Sequence, residues 1–177
     1  KNSSGIHGNG GSTVATNSVS ADGRFVAFSS AATNLAPGST SAYNEIYVRD
    51  LQSLTTTPVS VSGTGVLADS DCYGGSISAN GRFVVFSTGA DNLYPGSVLN
   101  AANGVYVRDL IQGLTEREDV APDGTPANGA SFNGAISADG RFVAFLSTAT
   151  NLIGGASGTQ AYLRDRKTGK TVLISTA

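Results

Sequence analysis

The sequence predicts an all-β protein made of three repeats of about 59 residues. Glycine accounts for 23 of the 177 residues and charged residues for only 14%, so the residues that build long amphipathic helices are scarce. With 40% hydrophobic residues, the chain still has enough apolar material for a packed core. The third observation is a set of short sequence blocks that recur in a fixed order, which favours an array of similar β-units.

The first repeated block joins a tight turn to an apolar strand. It occupies residues 18–28, 76–86 and 135–145 and reads SVSADGRFVAF in its first copy. Each copy contains an Asp-Gly or Asn-Gly pair, and these residues tolerate the positive φ of a tight hairpin turn. The strand after the turn is apolar on both faces, so we expect it to lie between two packed layers.

Two further blocks follow the first one in step. A Tyr-Val-Arg-Asp or Tyr-Leu-Arg-Asp motif lies at residues 47–50, 106–109 and 162–165, and an Asn-Leu pair precedes it in every repeat. With a short strand before the turn and a Thr/Val-rich strand after the second motif, each repeat is predicted to contain four antiparallel strands. Four short strands repeated at a fixed period are the pattern of a β-propeller blade.

The repeats divide the chain into three predicted blades that follow an N-terminal segment. Blade 1 is expected at residues 17–62, blade 2 at 63–120 and blade 3 at 121–177. The Gly/Ser/Asn-rich segment 1–16 is expected to be a linker or a docking strand. The sequence contains no methionine, which indicates a processed chain or one part of a longer protein.

At these motifs the chain resembles the WD40-like, or TolB-like, β-propeller repeat family. The family signature combines a Ser-x-Asp-Gly-Arg/Lys turn, a Val/Ile-Ala-Phe strand and a later Tyr-Val-x-Asp strand. The resemblance extends from about residue 18 to residue 175. The sequence departs from the signature at Asn80, which replaces the turn aspartate, and in the long stretch 29–44. The resemblance implies a propeller fold for nearly the whole chain.

Three blades are too few for a closed propeller, because closed rings contain about four to eight. A single copy would leave apolar faces of blades 1 and 3 exposed, and soluble monomers avoid such surfaces. We therefore expect half of a six-bladed ring or part of a larger assembly. The expected partners are further copies of the chain, in a homo-oligomer or a fibre, or the other propeller blades of a longer chain.

Charge, hydropathy and cysteine content exclude several classes of function. The net charge is −2 and lysine occurs only three times, so the chain lacks the basic stripe that nucleic-acid binding requires. No apolar run reaches the length of a membrane span. Because Cys72 and His7 are the only residues of their types, we expect neither an internal disulfide nor a zinc site.

Composition also predicts where the protein is located. Lysine is rare, whereas serine, threonine, asparagine and glycine are abundant, a combination that is typical of secreted and cell-surface β-proteins. We therefore expect an extracellular, cell-surface or periplasmic protein.

The predicted blades place their long loops on one side of the molecule, because strands that alternate in direction put every second connection at the same end. Loops of this kind carry binding residues on a rigid scaffold. Their aromatic and acidic residues suit a glycan or a protein ligand. The candidate residues of this loop face are Tyr43, Glu45, Tyr73, Asp91, Tyr94, Asp123 and Phe132.

One loop also has a pattern that suits a metal ion. Asp69 and Asp71 alternate with serine and precede Gly74 and Gly75, and alternating carboxylates in a glycine-rich loop can supply the oxygen ligands of calcium. The loop lacks the later bidentate acid of an EF-hand. Calcium is the one cofactor that the sequence indicates.

The repeated arginines and aspartates are predicted to be structural. In an antiparallel pair, the start of the Phe-Val-Ala-Phe strand lies beside the end of the Tyr-Val-Arg-Asp strand, and pairing would offset the cost of burying either charge. The predicted pairs are Arg24 with Asp50, Arg82 with Asp109, and Arg141 with Asp165.

We predict no catalytic residues. His7 has no partnered nucleophile, no Gly-x-Ser-x-Gly motif is present, and Cys72 is expected to be a buried thiol. The sequence therefore predicts a non-catalytic extracellular module for assembly and binding. The alternative is a lectin-like or calcium-binding recognition domain that uses the loop face.

Overall fold

The described part of the chain consists of twelve β-strands and contains no helix. The computed structural model describes residues 1–39, 43–94, 103–154 and 157–175. The strands are β1 (Ser12–Thr13), β2 (Phe25–Ser30), β3 (Glu45–Asp50), β4 (Thr55–Pro58), β5 (Cys72–Ile77), β6 (Phe83–Thr88), β7 (Gly104–Asp109), β8 (Leu114–Arg117), β9 (Ser131–Ile136), β10 (Phe142–Ser147), β11 (Gln160–Asp165) and β12 (Lys170–Leu173). The all-β prediction is confirmed.

The strands form three antiparallel sheets of four strands each. The sheet orders are β1-β2-β3-β4, β5-β6-β7-β8 and β9-β10-β11-β12, so every strand pairs with its neighbour in the sequence. This meander is the strand order of a propeller blade, and we call the sheets blades 1, 2 and 3. The structure confirms the three four-stranded units that the repeats predict.

The two repeated motifs pair with each other inside each blade. In blade 1, β2 and β3 place Phe25 opposite Asp50 and Phe28 opposite Tyr47, and the rings of Phe28 and Tyr47 stack with their centroids 5.7 Å apart. Blades 2 and 3 repeat this register and this stacking, with centroids 5.9 and 5.7 Å apart. Such aromatic pairs add about 0.5–1.5 kcal/mol to the effect of area burial, so the motif stabilises the register of the two strands.

The hydrophobic core lies between the blades. On one face of blade 1, Ala27, Ile46 and Val48 share a buried cluster with Val84 and Phe86 of blade 2. The opposite face of blade 2 is buried against blade 3 in the same way. Each blade therefore has a leading face, which packs on the preceding blade, and a trailing face, which packs on the following one. We call the contact of blades 1 and 2 the first junction, and that of blades 2 and 3 the second junction.

A phenylalanine and a glycine meet at each junction. Phe25 of blade 1 lies so close to Gly81 of blade 2 that a Cβ atom on the glycine would overlap the ring, and Phe83 lies in the same way against Gly140 of blade 3. Both glycines have positive φ angles, +72° and +75°, which other residues adopt only with strain. The Asp-Gly or Asn-Gly turn thus has two roles. It closes a hairpin, and its glycine is the seat on which the phenylalanine of the preceding blade lies.

Backbone hydrogen bonds join the same turns across the junctions. The N–H of Ala21 donates to the carbonyl of Ala79 at the first junction, and the N–H of Ala79 donates to the carbonyl of Ala138 at the second, each over 2.9 Å. The three alanines occupy one position of the repeat, next to the turn. The turns therefore form a hydrogen-bonded row across the blades.

A second backbone contact crosses each junction where the innermost strands begin. The N–H of Cys72 in β5 donates to the carbonyl of Asn44 at 2.8 Å, and the N–H of Ser131 in β9 donates to the carbonyl of Asn103 at 2.6 Å. Each acceptor is the residue just before the third strand of the preceding blade. Each innermost strand is thus fixed to the preceding blade by its first residue.

The N-terminal segment 1–16 lies against blade 1 and supplies β1, which pairs with the end of β2. The carbonyl of Lys1 accepts a hydrogen bond from the Thr56 hydroxyl at 2.7 Å, just as the carbonyl of Val61 accepts one from Thr115 at 2.5 Å. Residues 1–11 therefore follow the course that residues 61–71 take in front of blade 2.

Candidate functional site

The first candidate surface consists of the two blade faces at the ends of the row. The leading end face belongs to blade 1 and includes the partly exposed Val26 and Phe28; Tyr47 on the same side is only 1% exposed, because other residues of blade 1 cover it. The trailing end face belongs to blade 3 and includes Phe142, Ala144, Leu146, Ala161 and Leu163. The last four are all partly exposed, whereas Val85, Val105 and Val107, which stand at the positions of Ala144, Ala161 and Leu163 in blade 2, are fully buried. The trailing face is therefore buried in blade 2, which has a following blade, and partly exposed in blade 3, which has none in a single copy.

The difference is clearest at the residue directly after the fourth strand, which we call the outer-strand position. Its three residues are Val59, Glu118 and Ile174, and each donates its N–H to the third strand of its own blade. Val59 and Glu118 are 0% and 4% exposed because another blade follows theirs, whereas Ile174 is 51% exposed. The trailing end face therefore includes a large apolar side chain without cover.

A second position, directly after the third strand, meets the preceding blade; we call it the turn position. Its residues are Leu51, Leu110 and Arg166, and each donates its N–H to the arginine that begins the second strand of its own blade. Leu110 is partly buried against the cluster of the first junction, whereas Leu51 is 52% exposed. The leading end face thus also includes an uncovered apolar side chain.

At the second junction these two positions form an ion pair. The Arg166 guanidinium lies 2.6 Å from a carboxylate oxygen of Glu118 and 2.6 Å from one of Glu116. It also donates to the carbonyl of Gly140 at 2.9 Å and lies 4.7 Å above the ring centroid of Phe83. Burial raises the pKa of Glu118 above its ordinary value, although the charge and hydrogen bond of Arg166 oppose that shift. This cluster joins blades 2 and 3 by charge.

The structure contains all three arginine–aspartate pairs that the repeats predict. The closest nitrogen–oxygen distances are 2.7 Å for Arg24–Asp50, 2.6 Å for Arg82–Asp109 and 2.6 Å for Arg141–Asp165. Each arginine also lies 4.6–4.7 Å above the ring centroid of the phenylalanine that follows it. The guanidinium groups therefore have two partners each, and their arrangement is structural.

The pKa values of the paired aspartates are lowered. In Asp50 and Asp165, hydrogen bonds from the partner arginine are the main cause. In Asp109 burial acts to raise the pKa, but hydrogen bonds from Arg82 and from the backbone N–H groups of Gln112 and Ile111 outweigh it. All three carboxylates are consequently ionised at neutral pH.

Two of the predicted loop-face aromatics share a cleft between blades 2 and 3. Tyr73 on β5 and Phe132 on β9 line a cavity of about 270 Å³ together with Asn103 and Asn133. Tyr73 is exposed and Phe132 is half-buried. Aromatic surfaces beside amide groups can stack on a ligand and fix its orientation by hydrogen bonds.

The other candidates of the loop face lie apart from that cleft. Asp91 and Tyr94 line a second cavity of about 600 Å³ with the exposed apolar residues Val66 and Leu114. Asp123 is exposed, and hydrogen bonds within its own turn, the backbone N–H of Thr125 first, lower its pKa. The exposed Tyr43 lies beside the undescribed residues 40–42. The predicted loop face is therefore divided among several places.

Glu45 is a correction to the predicted loop face. Only 1% of its surface is exposed, and the Ser60 hydroxyl donates a hydrogen bond to its carboxylate. The Cys72 sulfur of blade 2 lies 3.9 Å from the same carboxylate. The prediction that Glu45 contacts a ligand was wrong, because blade 2 covers the start of β3.

Cys72 is buried, as the sequence predicts. Burial raises the pKa of its thiol to about 12. A thiol with such a pKa stays protonated at neutral pH and is a poor nucleophile.

Asp69 and Asp71 use their carboxylates within the protein. Asp69 accepts a hydrogen bond from the backbone N–H of Asp91 at 3.0 Å, and Asp71 accepts two from Asn44 at 2.8 and 3.1 Å. Among the described residues, no group of three or more histidine, cysteine or acidic side chains could hold a metal ion. The calcium prediction for this pair rests on sequence spacing alone.

The contacts of Asp69 belong to a repeated clamp whose role the sequence did not reveal. In blade 1, Asn34 donates to the carbonyl of His7 at 2.9 Å and accepts the N–H of Asn9 at 3.0 Å. The equivalent residues of blades 2 and 3 make the same bonds. The repeated Asn-Leu pairs thus fix the loop that enters each blade.

The ion cluster of the second junction was also missed. The signal that could have found it is a difference between the repeats, since Glu118 replaces Val59 and Arg166 replaces Leu110 at equivalent positions. Two substitutions of opposite charge in successive blades indicate a contact between them.

The likeness of this chain to known proteins lies in its fold and not in its overall sequence. No protein-family model and no curated protein matches the sequence. In the part of the chain that the structure describes, no helix is long and apolar enough to cross a membrane.

Several solved structures contain the same arrangement of blades. A TolB structure from Agrobacterium tumefaciens matches with a TM-score of 0.55 and 15% identity, over 88% of this chain and 46% of that one. An oligogalacturonate lyase from Vibrio parahaemolyticus matches with a TM-score of 0.51 and 11% identity, over 96% and 47%. The β-propeller domain of the Trilobed protease from Pyrococcus furiosus gives 0.50 and 12%, over 85% and 38%.

This chain spans less than half the length of each of these proteins. Identities this low show a common fold and nothing about activity. The matches agree in fold with the resemblance in the repeats: the chain consists of three β-propeller blades.

Proposed function

We propose that this chain is a non-catalytic, extracellular propeller module that serves as a scaffold for assembly and binding, and that further blades complete it. The observation that carries this proposal is the exposure of the two end faces, with Leu51 and Ile174 more than half exposed where their equivalents are covered. Burial of such apolar surface favours association. The further blades come from self-association, in a dimeric ring or a filament, or from a longer chain.

Other observations support a non-catalytic role outside the cell. The Cys72 thiol is buried and protonated, and the repeated arginines and aspartates hold one another in ion pairs. The scarcity of lysine and the abundance of serine, threonine and glycine favour an extracellular location.

The mass and shape of the particle in solution test the proposal. We expect light scattering and electron microscopy at micromolar concentration to reveal a particle larger than the 17.8 kDa chain, in the form of a ring or a fibre. A stable, cooperatively folded monomer of 17.8 kDa would contradict it.

A second candidate function is recognition of a ligand in the cleft of Tyr73 and Phe132. The aromatic and amide lining of this cleft favours a glycan or a peptide. Calorimetric titration with a panel of oligosaccharides and peptides should find a ligand whose binding is lost in Tyr73→Ala and Phe132→Ala. Ile111→Ala is a suitable control because Ile111 is exposed in the turn between β7 and β8. Binding unaffected by both cleft variants would rule the cleft out.

The calcium alternative has its own matched variant. Asp69→Asn removes the charge but keeps the loop clamp, because blades 1 and 3 have Asn9 and Asn128 at this position. If calcium binds, it should raise the melting temperature of the wild type above that measured with a chelator, and this rise should disappear in Asp69→Asn. No difference between calcium and chelator would exclude the site.

A further inference from the structure

We infer that the blades which complete this chain belong to a second copy of it, docked head to tail. The trailing end face of blade 3 packs on the leading end face of blade 1 of the other copy, and the reverse contact closes a ring. Two copies give six blades, within the range of about four to eight found in closed propellers, whereas three copies would give nine. This inference rests on the proposed function and names the partner that the function requires.

The first match between the end faces is a phenylalanine and an open glycine. At both internal junctions, the phenylalanine that begins the second strand of one blade lies on the turn glycine of the next. In a single copy, Phe142 of blade 3 has no following glycine to lie on. Gly23 of blade 1 has the same backbone conformation, with φ +72°, and no atom lies within 4 Å of the place where its Cβ would be. Phe142 of one copy therefore fits on Gly23 of the other.

The second match is in backbone hydrogen bonds. Ala138 stands in blade 3 where Ala21 and Ala79 stand in the preceding blades, so its N–H is placed to donate to the carbonyl of Ala21 in the second copy. By the same rule, the N–H of Ser12 is placed to donate to the carbonyl of Thr159, the residue before β11. All four residues are exposed in a single copy. The new junction thus repeats both backbone contacts of the internal ones.

The third match is between side chains at the outer-strand and turn positions. In a head-to-tail contact, Ile174 of one copy meets Leu51 of the other. Both are apolar, and both are more than half exposed in a single copy. Their equivalents are apolar at the first junction, where Val59 and Leu110 are packed in one cluster. At the outer-strand and turn positions the two end faces therefore present a matched apolar pair.

The fourth match is in volume. Gly75 on β5 lies against blade 1, where an added Cβ would be 3.6 Å from the side chain of Ile46. In the aligned repeats both residues differ on the end faces, since Asn17 precedes the Ser-Val-Ser stretch of blade 1 where Gly75 precedes the Ser-Ile-Ser stretch of blade 2, and Ala161 takes the place of the isoleucine. A larger residue on blade 1 thus meets a smaller one on blade 3. Close packing makes such paired changes of volume favourable.

Variants that introduce the charged pair of the second junction at Ile174 and Leu51 test this contact. Ile174→Glu and Leu51→Arg each place a single charge in the apolar contact, whereas the double variant reproduces the Glu118–Arg166 pair. Because both side chains are exposed in one copy, the variants should fold, which circular dichroism verifies. In analytical ultracentrifugation the wild type should have twice the mass of the 17.8 kDa chain. Each single variant should dissociate at least about tenfold more readily, and the double variant should recover most of that loss.

A larger residue in place of Gly23 tests the contact with Phe142 independently. Gly23→Asn keeps a residue that tolerates positive φ but fills the seat of Phe142, so it should weaken the dimer. Gly65→Asn is the matched control, because Gly65 has φ +83° and no atom within 4 Å of a Cβ but lies between blades 1 and 2. The control should leave the dimer intact. Equal effects of the two variants would overturn the inference.

Cross-linking fixes the orientation. A mixture of Leu51→Cys and Ile174→Cys chains should form disulfide-linked heterodimers, whereas neither variant should cross-link to itself; the native Cys72 is buried. A Leu51→Cys homodimer, a fibre, a larger ring or insensitivity of the dimer to the charged variants would overturn the inference and leave the proposed function in place. A folded 17.8 kDa wild-type monomer would overturn both.

Discussion

The first and second junctions join blades of the same architecture by different chemistry. At the first junction, Val59 and Leu110 belong to an apolar cluster. At the second, the same two positions are Glu118 and Arg166, whose charged groups are 2.6 Å apart. The phenylalanine–glycine seat and the alanine hydrogen bond are present at both.

This difference shows which parts of the repeat determine the geometry and which determine the choice of neighbour. The turns and the backbone contacts set the position of one blade on the next, and they do not vary. The outer-strand and turn positions vary as a pair, from apolar with apolar to acid with base. A junction therefore accepts either pair, but a mixture of the two leaves a buried charge without a partner, which is costly.

The largest expected effect comes from breaking the charged pair on one side. Arg166→Leu places an apolar residue at the turn position and keeps the acid at the outer-strand position. Among the described residues, the remaining ion-pair partner of the buried Glu118 is then Arg164, 3.8 Å away. We expect a loss of about 3–4 kcal/mol in the free energy of unfolding, measured by urea denaturation. The double variant Glu118→Val with Arg166→Leu should recover most of that loss. A loss below about 1 kcal/mol in the single variant, the range of exposed ion pairs, would contradict this view of the second junction.

The turn glycines should respond equally at both junctions. Gly81→Ala and Gly140→Ala each force a Cβ into the ring of a phenylalanine and strain the backbone at positive φ. We expect each to cost about 2–3 kcal/mol by urea denaturation. In the monomeric state Gly23→Ala meets no ring and should cost only about 1 kcal/mol. Unequal losses at Gly81 and Gly140 would show that the two seats are not equivalent.

Removal of a paired aspartate should have a smaller effect. Asp109→Ala leaves Arg82 without its carboxylate and two backbone N–H groups without an acceptor. Because the Arg82 side chain is 32% exposed, solvent compensates in part, and we expect a loss of about 1–2 kcal/mol. Asp109→Asn can still accept the backbone hydrogen bonds and should lose less. If the two variants lose equally, the charge alone accounts for the effect.

The smallest expected effect is on pH dependence. Asp165 has a lowered pKa in the folded chain because Arg141 binds its ionised form. Its contribution to stability is therefore complete above the ordinary aspartate pKa and is lost as the pH falls through the lower, folded value. Wild type and Asp165→Asn should differ in urea stability at pH 7 and converge toward pH 2. A difference that does not decrease on acidification would contradict the pairing.

The repeats in the sequence predict most of the fold. The register of β2 with β3 follows from the two motifs and correctly places Arg24 beside Asp50. The N-terminal loop is harder to recognise, because Lys1, Ile6 and His7 differ from Val61, Val66 and Leu67. What the two loops share is a backbone path with similar φ at Gly5 and Gly65, +81° and +83°. Different residue types can adopt the same backbone path, so the side chains alone do not reveal that the two loops are equivalent.

The candidate site is less predictable because it depends on contacts between blades. Glu45 is polar and borders a long loop, two features that suggest exposure, but the following blade covers it. Tyr73 and Phe132 are far apart in the sequence and share a cleft only because β5 and β9 lie side by side at the second junction. Residue type indicates how a side chain could bind, whereas burial between blades decides whether it can.

The row of alanine hydrogen bonds has a consequence for exchange measurements. The amide of Ala21 is held by blade 2 and that of Ala79 by blade 3, so each is released when two blades part, even while every sheet stays intact. Hydrogen–deuterium exchange at these two amides therefore measures the opening of each junction separately, whereas amides inside the strands measure the opening of a sheet. The protein thus has one built-in reporter for the apolar junction and another for the charged one.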